Sequence, residues 1–400
     1  MIGLFLFVLL LAPPVALCAQ APRQDLAAPG YAVASQVDEF LGEAVCMPLQ
    51  PLWKGRGGWG GILTARDGTV VAFQSRDDGR CRRSRDGGKT WDADIEIAPD
   101  AKGGRALVDE AKGDLLYVNP AAGWLYRSRD HGASWTREST QVRPDGFGLT
   151  PKTEGVAAMQ SGLTLAFGKH KGRLIMPARI MGPKSSNAVE WRAYHYSTAL
   201  YSDDGGAVWQ TSQPFPVFGT GEAALAELSD GRILYNSREH MSRGNRYFAW
   251  SHDGGALWIG AQQSPDLPDG ARGTSYGCMG GMVRLPVAGH DILLYSNLDT
   301  EAGEMPRHTG ASTSKGREKI TVWASFDGGR TWPVKRLVYD GPSAYSNLGV
   351  GRKGTPSEGK IYLLFEGGPR DCYEAVQVAA FNLSWLLNGR DLAALLPEPR

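Results

Sequence analysis

The stretch SFDGGRTW, residues 325–332, carries a pattern that recurs along the chain. In the form S-x-D-x-G-x-x-W the pattern occurs four more times, at residues 84–91, 128–135, 202–209 and 251–258. Five copies of one short pattern within 400 residues indicate a repeat architecture, in which each copy marks the same place in a structural unit.

Each copy has the chemistry of a tight turn between two β-strands. The aspartate side chain can accept backbone N–H bonds across the turn, and the glycine can adopt a positive φ. The tryptophan can then pack its large face against a neighbouring hairpin. Strand-like sequence precedes the copies, as in ITVWA at residues 320–324. The pattern therefore predicts a hairpin of a small antiparallel sheet at each copy.

The spacing of the copies indicates the size of the unit. Their serines are 44, 74, 49 and 74 residues apart. These gaps fit one or more four-stranded units of roughly 45–75 residues, somewhat longer than the best-known propeller repeat. At that size the chain accommodates six units. We therefore predict an all-β fold, a six-bladed β-propeller of four-stranded antiparallel blades.

Composition agrees with this fold and excludes one class of function. The chain contains 52 glycines, 24 prolines and 12 tryptophans, which suits a turn-rich β protein better than a helical one. Its 43 basic and 42 acidic side chains give a net charge of +1. A nucleic-acid-binding protein usually carries a clear basic excess, so we expect no nucleic-acid partner.

The N-terminus has the features of a secretory signal. Residues 2–12 are apolar, a Pro-Pro pair follows at 13–14, and Ala-Gln-Ala at 19–21 offers a small-x-small cleavage site. The apolar run is shorter than the roughly 20 residues that a transmembrane helix needs, so we expect no stable membrane insertion. A lipoprotein signal ending at Cys18 is the less favoured alternative, because Leu17 is large for that cleavage site. We predict a secreted or periplasmic protein.

The rest of the chain shows no linker that would divide it into further domains. The predicted organisation is a signal peptide over residues 1–21, a lead-in segment over 22–40, the propeller over 41–390 and a C-terminal tail over 391–400. Four cysteines remain after cleavage and allow three disulfide pairings. Among these, Cys46 with Cys372 is attractive because a propeller brings its two chain ends together.

The second half of the chain resembles the bacterial sialidases, whose Asp-boxes have the same pattern as the five turns. The segment TGEAALAELSDGRILYNSR at residues 220–238 is similar to the stretch that supplies the catalytic glutamate and the second substrate-binding arginine of that family. Carried over position by position, these residues are Glu222 and Arg238. REKITVWAS at 317–325 resembles a further family strand and nominates Arg317, and GPSAYSNL at 341–348 resembles the nucleophile segment and nominates Tyr345.

The chemistry of sialic acid explains why these residue types occur together. The sugar carries a carboxylate on its anomeric carbon, which would repel a carboxylate nucleophile, and the family uses a neutral tyrosine instead. Tyrosine has an ordinary pKa near 10 and needs a base, a role that the resemblance gives to Glu222. Arginines bind the sugar carboxylate through a permanently charged planar fork.

The first half of the chain departs from the family pattern. Gly58 stands where the first substrate-binding arginine is expected, and Arg56, two residues upstream, is the candidate to replace it. Glu366 in YLLFE matches the glutamate that supports this arginine in the family. The acid/base aspartate belongs to a loop that is shortened here to SRDDGR, residues 75–80, so Asp77 and Asp78 are its candidates.

The resemblance implies an exo-α-sialidase that acts by retaining hydrolysis of terminal α-linked sialic acids through a tyrosyl-enzyme intermediate. Sialylated glycans, glycoproteins or glycolipids are then the partners, and neither a metal nor an organic cofactor is needed. Two alternatives stay open. One is a glycosidase or trans-glycosidase acting on another acidic sugar, nonulosonic or uronic. The other is a glycan-binding propeller without catalysis.

Overall fold

The computed structural model of the protein describes seven stretches of the chain. They are residues 37–76, 79–143, 155–181, 195–241, 243–269, 277–299 and 316–397. The predicted signal peptide, residues 22–36 of the predicted lead-in, and both Asp77 and Asp78 lie outside these stretches. Within them, no helix is long and apolar enough to cross a membrane.

The described part of the chain is all-β. Its first strand, β1 (Gln50–Lys54), pairs with the last sheet instead of with the strands that follow it. The next eight strands form two four-stranded antiparallel sheets in which sequence neighbours are spatial neighbours. The first of these sheets contains β2 (Gly61–Thr64), β3 (Val70–Gln74), β4 (Gly79–Ser84) and β5 (Ile95–Ala98). The second contains β6 (Arg105–Asp109), β7 (Asp114–Asn119), β8 (Trp124–Ser128) and β9 (Thr136–Ser139).

The middle of the chain forms two more sheets. The third sheet contains β10 (Gln141–Val142), β11 (Val156–Ala158), β12 (Leu163–Thr164), β13 (Leu174–Ile180), β14 (Tyr196–Ser202) and β15 (Val208–Thr211). Both β11 and β12 pair with β13, and β10 runs parallel to β15. The fourth sheet contains, in order, β16 (Thr220–Glu227), β17 (Ile233–Glu239), β18 (Asn245–Ser251) and β19 (Ile259–Pro268).

The last sheet has seven strands because one long strand belongs to two groups of neighbours. It contains β20 (Gly281–Arg284), β21 (Leu293–Leu298), β22 (Glu318–Ser325), β23 (Val334–Val350), β24 (Ile361–Gly367), β25 (Ala375–Phe381) and finally β1. The first part of β23 pairs with β22 as far as Pro342. From Ser343 onward the same strand pairs with β24.

Strands from all five sheets surround a common axis. Residues of β2, β6, β12, β16, β20 and the end of β23 line a central cavity of about 520 Å³. Apolar side chains fill the spaces between neighbouring sheets, and the repeat tryptophans belong to these clusters. Trp209, fully buried, packs with Leu116 and Leu174 between the second and third sheets. These features confirm the all-β class with antiparallel sheets, and they are consistent with the predicted β-propeller.

The two ends of the described chain meet on the last sheet. β1 pairs with β25, and Asn382 caps the α-helix Leu383–Leu387 while its side chain also contacts the backbone at Val45. Phe40, from the 3₁₀-helix Val37–Phe40, is fully buried in the same core. A second 3₁₀-helix spans Pro120–Ala122. The N-terminal segment is therefore fixed from Val37 onward, near the end of the predicted lead-in.

The disulfide that sequence favoured as a clasp is not formed. Cys46, Cys81, Cys278 and Cys372 all lie in the described part of the chain, and none of them belongs to a disulfide. Cys46 is exposed and Cys372 is buried, so the two thiols lie in different environments. Backbone pairing between β1 and β25 joins the chain ends in place of a covalent bond.

The Asp-box turns have the geometry that their sequence predicts. In the first copy, Asp86 accepts hydrogen bonds from the amides of Lys89 and Thr90, both at 3.0 Å, and from the Thr90 hydroxyl at 2.6 Å. The Ser84 hydroxyl donates a hydrogen bond to Asp86 at 2.8 Å and accepts one from the Gly88 amide. Burial acts to raise the pKa of Asp86, but these hydrogen bonds outweigh it and lower the pKa to about 2. The ionised aspartate is therefore the centre of the turn.

We expect the Asp86→Ala variant to lower the free energy of unfolding by about 1–3 kcal/mol, because several hydrogen bonds to a charged group are lost. The Asp86 pKa is lower in the folded chain, so its contribution is present above the ordinary value of 3.8 and is lost as the pH falls through about 2. Urea unfolding at pH 7 and pH 2 would measure this difference. Lys89→Ala is the control, since only the Lys89 backbone takes part in the turn. Equal stability of the two variants at pH 7 would contradict the prediction.

Candidate active site

Tyr345 and Glu222, predicted as a pair, are in contact. The Tyr345 hydroxyl donates a hydrogen bond to Glu222 Oε1 at 2.7 Å, although 123 residues separate the two in sequence. Tyr345 lies in β23, just beyond the point where this strand changes partner. Glu222 lies in β16 at an irregularity in its pairing with β17. Such bulges re-aim side chains near functional sites, and this one directs Glu222 toward the neighbouring sheet.

Two arginines face the Glu222 carboxylate. Arg238, on the adjacent strand β17, donates to Glu222 Oε2. Arg179, from β13 of the third sheet, has its guanidinium 3.8 Å from Glu222 Oε1. Burial acts to raise the pKa of Glu222, but the charges of Arg238 and then Arg179 outweigh it and hold that pKa well below its usual range. Glu222 is therefore ionised and able to accept a proton.

Tyr345 has the opposite tendency. Burial raises the pKa of its phenol well above the ordinary value, and the negative charge of Glu222 raises it further. Arg238 and Arg317 act in the other direction. The resting pair is thus a neutral phenol hydrogen-bonded to a carboxylate, the arrangement from which a nucleophile can lose its proton to an adjacent base as it reacts.

Arg317 and Arg56 lie on either side of an aromatic residue that sequence did not select. The Arg317 guanidinium donates to the Tyr373 hydroxyl at 2.6 Å and to the carbonyl of Gly277 at 2.9 Å. The Arg56 guanidinium lies over the Tyr373 ring, 3.7 Å from its centroid. Arg317 also lies 5.4 Å from the centroid of the Tyr345 ring. Tyr373 therefore connects both predicted arginines to the neighbourhood of Tyr345.

Glu366 lies in this region with contacts that differ from the expected arginine support. It is fully buried in β24, and its Oε1 accepts a hydrogen bond from the Gly57 amide at 2.9 Å. Burial raises the pKa of Glu366, while the nearby charge of Arg56 lowers it. A Cβ added at Gly58 would meet Glu366 Cγ at 3.6 Å, an ordinary van der Waals distance. Glu366 thus fixes the backbone of the segment that carries Arg56.

Two buried histidines stack on each other beside Glu222. His195 and His240 stack with ring centroids 5.1 Å apart and planes at 7°. Burial and then the charge of Arg238 lower the pKa of His240 well below its ordinary value, so its ring is neutral. The approach is so close at Gly221 that an added Cβ would lie 2.4 Å from His240 Nε2. Glycine is required there for Glu222 to sit against this pair.

Backbone positions within the site are held by buried polar side chains. Arg246, which is fully buried, donates to the Glu222 carbonyl at 3.1 Å and to the Cys278 carbonyl at 3.0 Å. The Gln160 amide donates to the carbonyl of Ser346, the residue after Tyr345, at 2.6 Å. Tyr345 and Glu222 are therefore fixed through their main chains as well as through their side chains.

The structure brings together Tyr345, Glu222, Arg238 and Arg317, and it adds Arg179, Tyr373 and Trp59 to this region. Asp77 and Asp78 lie outside the described residues. The segment GKHKGRLIMP at residues 168–177 also resembles a stretch of the bacterial sialidases, and Arg179 lies two residues beyond it, so this segment is the signal that could have found Arg179. Tyr373 carries no such signal. In the described stretches, no group of three or more His, Cys, Asp or Glu side chains is arranged to hold a metal ion.

Asp-box turns on antiparallel sheets, with a Tyr–Glu pair among arginines, define the class of Asp-box repeat proteins. The family described as "BNR repeat-like domain" matches residues 83–357, which is more than half of the chain. The chain therefore belongs to the BNR repeat-like domain family. The resemblance to bacterial-type sialidases with such repeats, inferred from sequence, is confirmed.

Individual relatives agree with this assignment. The chain is similar to a sialidase of Micromonospora viridifaciens, with 31% identity over 287 residues, covering 71% of this chain and 38% of the relative. It therefore spans less than half the length of that protein. Two solved structures share the fold. They are a Hadza microbial sialidase (TM-score 0.61, 21% identity, 82% of this chain and 65% of that one) and the intramolecular trans-sialidase of Ruminococcus gnavus (TM-score 0.60, 15% identity, 82% and 94%).

Replacing Glu222 by glutamine should lower the pKa of the Tyr345 phenol, because the negative charge that helps to raise it is removed. Nuclear magnetic resonance of ¹³C-labelled tyrosine would follow the titration, with the Tyr345→Phe variant used to assign the signal. Glu227→Gln is the matched control, since Glu227 lies on the same strand but accepts hydrogen bonds from the amides of Ala166 and Phe167. A Tyr345 signal that titrates identically in the wild type and Glu222→Gln would count against the pairing.

Proposed function

We propose that the protein is an exo-α-sialidase that hydrolyses terminal α-linked sialic acids of glycans, glycoproteins or glycolipids with retention of configuration. The observation that carries this proposal is the 2.7 Å hydrogen bond between Tyr345 Oη and Glu222 Oε1 amid buried arginines. A tyrosine nucleophile suits a substrate whose anomeric carbon bears a carboxylate, because a charged nucleophile would be repelled. The sialidase relatives support the same assignment.

Substrate recognition is assigned to the arginines. Arg238 and Arg317 would bind the sugar carboxylate, joined by Arg56 in place of the first arginine of the family. Guanidinium groups suit this role because they offer paired N–H donors in the geometry of a carboxylate and keep their charge at any physiological pH. Their charges would also stabilise the phenolate as it forms at Tyr345.

The first chemical step joins the tyrosine to the sugar. Tyr345 Oη attacks the anomeric carbon, its proton passes to Glu222, and the bond to the aglycone oxygen breaks. The leaving oxygen takes a proton from an acid, for which Asp77 and Asp78 are the candidates. In the second step a water molecule gives a proton to the carboxylate left by that acid and replaces Tyr345 at the anomeric carbon, the tyrosine recovers its proton from Glu222, and two inversions give net retention.

The architecture proposed to support this chemistry is a propeller of six blades. If the seven-stranded sheet is divided where β23 changes partner, it yields two groups of four strands, β20 to the first part of β23 and the second part of β23 to β1. With the other four sheets this makes six. We also propose export from the cytoplasm, for which the apolar residues 2–12 are the support.

The test of the function is hydrolysis of a fluorogenic α-sialoside. We expect the wild type to be active and Tyr345→Phe to lose at least about 10²-fold in kcat/KM, since nucleophile and proton transfer are both removed. Tyr126→Phe should keep full activity, because the hydroxyl that it removes bonds to Asp100 and lies far from Tyr345 in the sequence. Product analysis would separate hydrolysis from sialyl transfer. A wild type that binds the sialoside without cleaving it would instead support the non-catalytic alternative.

Arg179 should set the acid limb of the pH–rate profile. Glu222 has to be ionised to act as a base, and Arg179 is one of the two cations that keep its pKa low. We expect Arg179→Met to raise the pKa of Glu222 and to move the acid limb of kcat/KM to higher pH. Arg179→Lys retains the charge and should move it less. Profiles that superimpose for all three proteins would exclude this role for Arg179.

A further inference from the structure

Two guanidinium groups contact Tyr373, one at the face of its ring and the other at its hydroxyl. Arg56 lies over its ring, 3.7 Å from the centroid, and Arg317 donates to its hydroxyl oxygen at 2.6 Å. A cation over the face of an aromatic ring is attracted by the electron density of that face. A phenolic oxygen accepts a hydrogen bond through its lone pairs. One side chain therefore meets both cations favourably at the same time.

Both of these surfaces are uncharged. A carboxylate placed between the two arginines would hold them equally well, but it would cancel positive charge that a bound anion could otherwise use. The ring face and the hydroxyl of Tyr373 orient Arg56 and Arg317 without adding negative charge to that of the nearby Glu366. Two like charges held beside the same side chain attract a bound anion more strongly than either charge does alone.

The contacts around Tyr373 lead back to the nucleophile on both sides. Arg317 lies 5.4 Å from the Tyr345 ring centroid. On the other side, Arg56 lies 5.8 Å from the Trp59 ring, and the rings of Trp59 and Tyr345 are 5.8 Å apart. The five side chains form a closed ring in which two cations are separated by aromatic groups. A ligand held by the two cations would therefore lie beside Tyr345.

A hydrogen bond of its own backbone fixes the position of Tyr373. Glu366, the carboxylate expected to hold the first arginine, accepts a hydrogen bond from a backbone amide. The Tyr373 amide donates to Asp371 Oδ1 at 2.8 Å in the turn that precedes β25. Glu366 Oε1 accepts the backbone amide of Gly57. With Gly58 in place of an arginine, the displaced Arg56 is supported by the ring of Tyr373 as well as by the nearby charge of Glu366.

We propose that Tyr373 is a positioning residue that presents Arg56 and Arg317 together as a two-cation cradle for the carboxylate of the substrate. The cradle rests on the proposed function, since it assigns the acidic group of the same substrate to these two arginines. Tyr373 makes no bond to the reacting atoms, so its loss should weaken binding of the carboxylate more than it slows the chemical step.

The test compares an acidic ligand with its neutral counterpart. The two ligands are 2-deoxy-2,3-didehydro-N-acetylneuraminic acid and its methyl ester, with affinities measured by calorimetry. We expect Tyr373→Phe, which keeps the ring and loses the hydroxyl, to weaken binding of the acid about tenfold. Tyr373→Leu, which loses both the ring and the hydroxyl, should weaken binding of the acid about a hundredfold. The affinity for the ester should not change. Tyr339→Phe, another half-buried tyrosine of the last sheet, is the matched control.

Kinetics and a double-mutant cycle complete the experiment. KM for the fluorogenic sialoside should rise in both Tyr373 variants with little change in kcat. Arg56→Ala should cost less affinity in the Tyr373→Leu background than in the wild type, because residues in contact are not additive. Melting curves identify a variant that fails to fold, and the Tyr373→Phe variant then decides.

The outcomes separate the cradle from the function. A wild type that binds the acid more tightly than the ester, with Tyr373 variants that bind it equally well, would overturn the cradle and leave the sialidase proposal intact. Additive effects of Arg56→Ala and Tyr373→Leu would likewise overturn it. A wild type that binds neither ligand and does not cleave the fluorogenic sialoside would overturn the function and the cradle together.

Discussion

The ring of sheets is closed by joining its last sheet to the beginning of the chain. Here the join is the pairing of β1 with β25, reinforced by Asn382, whose side chain contacts the backbone near Val45. The site depends on this join. Arg56 and Trp59 follow directly after β1, whereas Tyr345 and Tyr373 belong to the last sheet and the turn next to it. Contacts between the two groups therefore cross the place where the ring closes.

Within that frame, the electrostatics of the site follow from burying a carboxylate among cations. An ionised glutamate in a low-dielectric interior is costly unless it is paired. Arg238 and Arg179 provide the pairing for Glu222, and the neutral His240 fills the remaining side without adding charge. Burial, and then the charge of the ionised Glu222, hold the adjacent phenol of Tyr345 in its neutral form. A neutral phenol next to an ionised carboxylate is thus a consequence of burial and of how the buried charges are balanced.

Sequence predicted the parts of the molecule that local patterns determine. The Asp-box turns could be found because the hydrogen bonds of their serine and aspartate side chains form within a few residues. Tyr345, Glu222, Arg238 and Arg317 lie in recognisable segments. Tyr373 could not be found, because its importance comes from contacts with residues 56 and 317, far away in sequence. The favoured clasp of Cys46 with Cys372 was wrong, since sequence gives no account of thiol environments. The roles of Asp77 and Asp78 stay predictions.

Strand β23 places Tyr345 at a seam between two groups of strands. Pairing with β22 ends at Pro342, pairing with β24 begins at Ser343, and Tyr345 lies two residues further on. Neither group can open locally without disturbing the strand that carries Tyr345. Proteins usually contain regions that unfold independently of one another. Here the two groups share one backbone, so the tyrosine is tied to the stability of both groups.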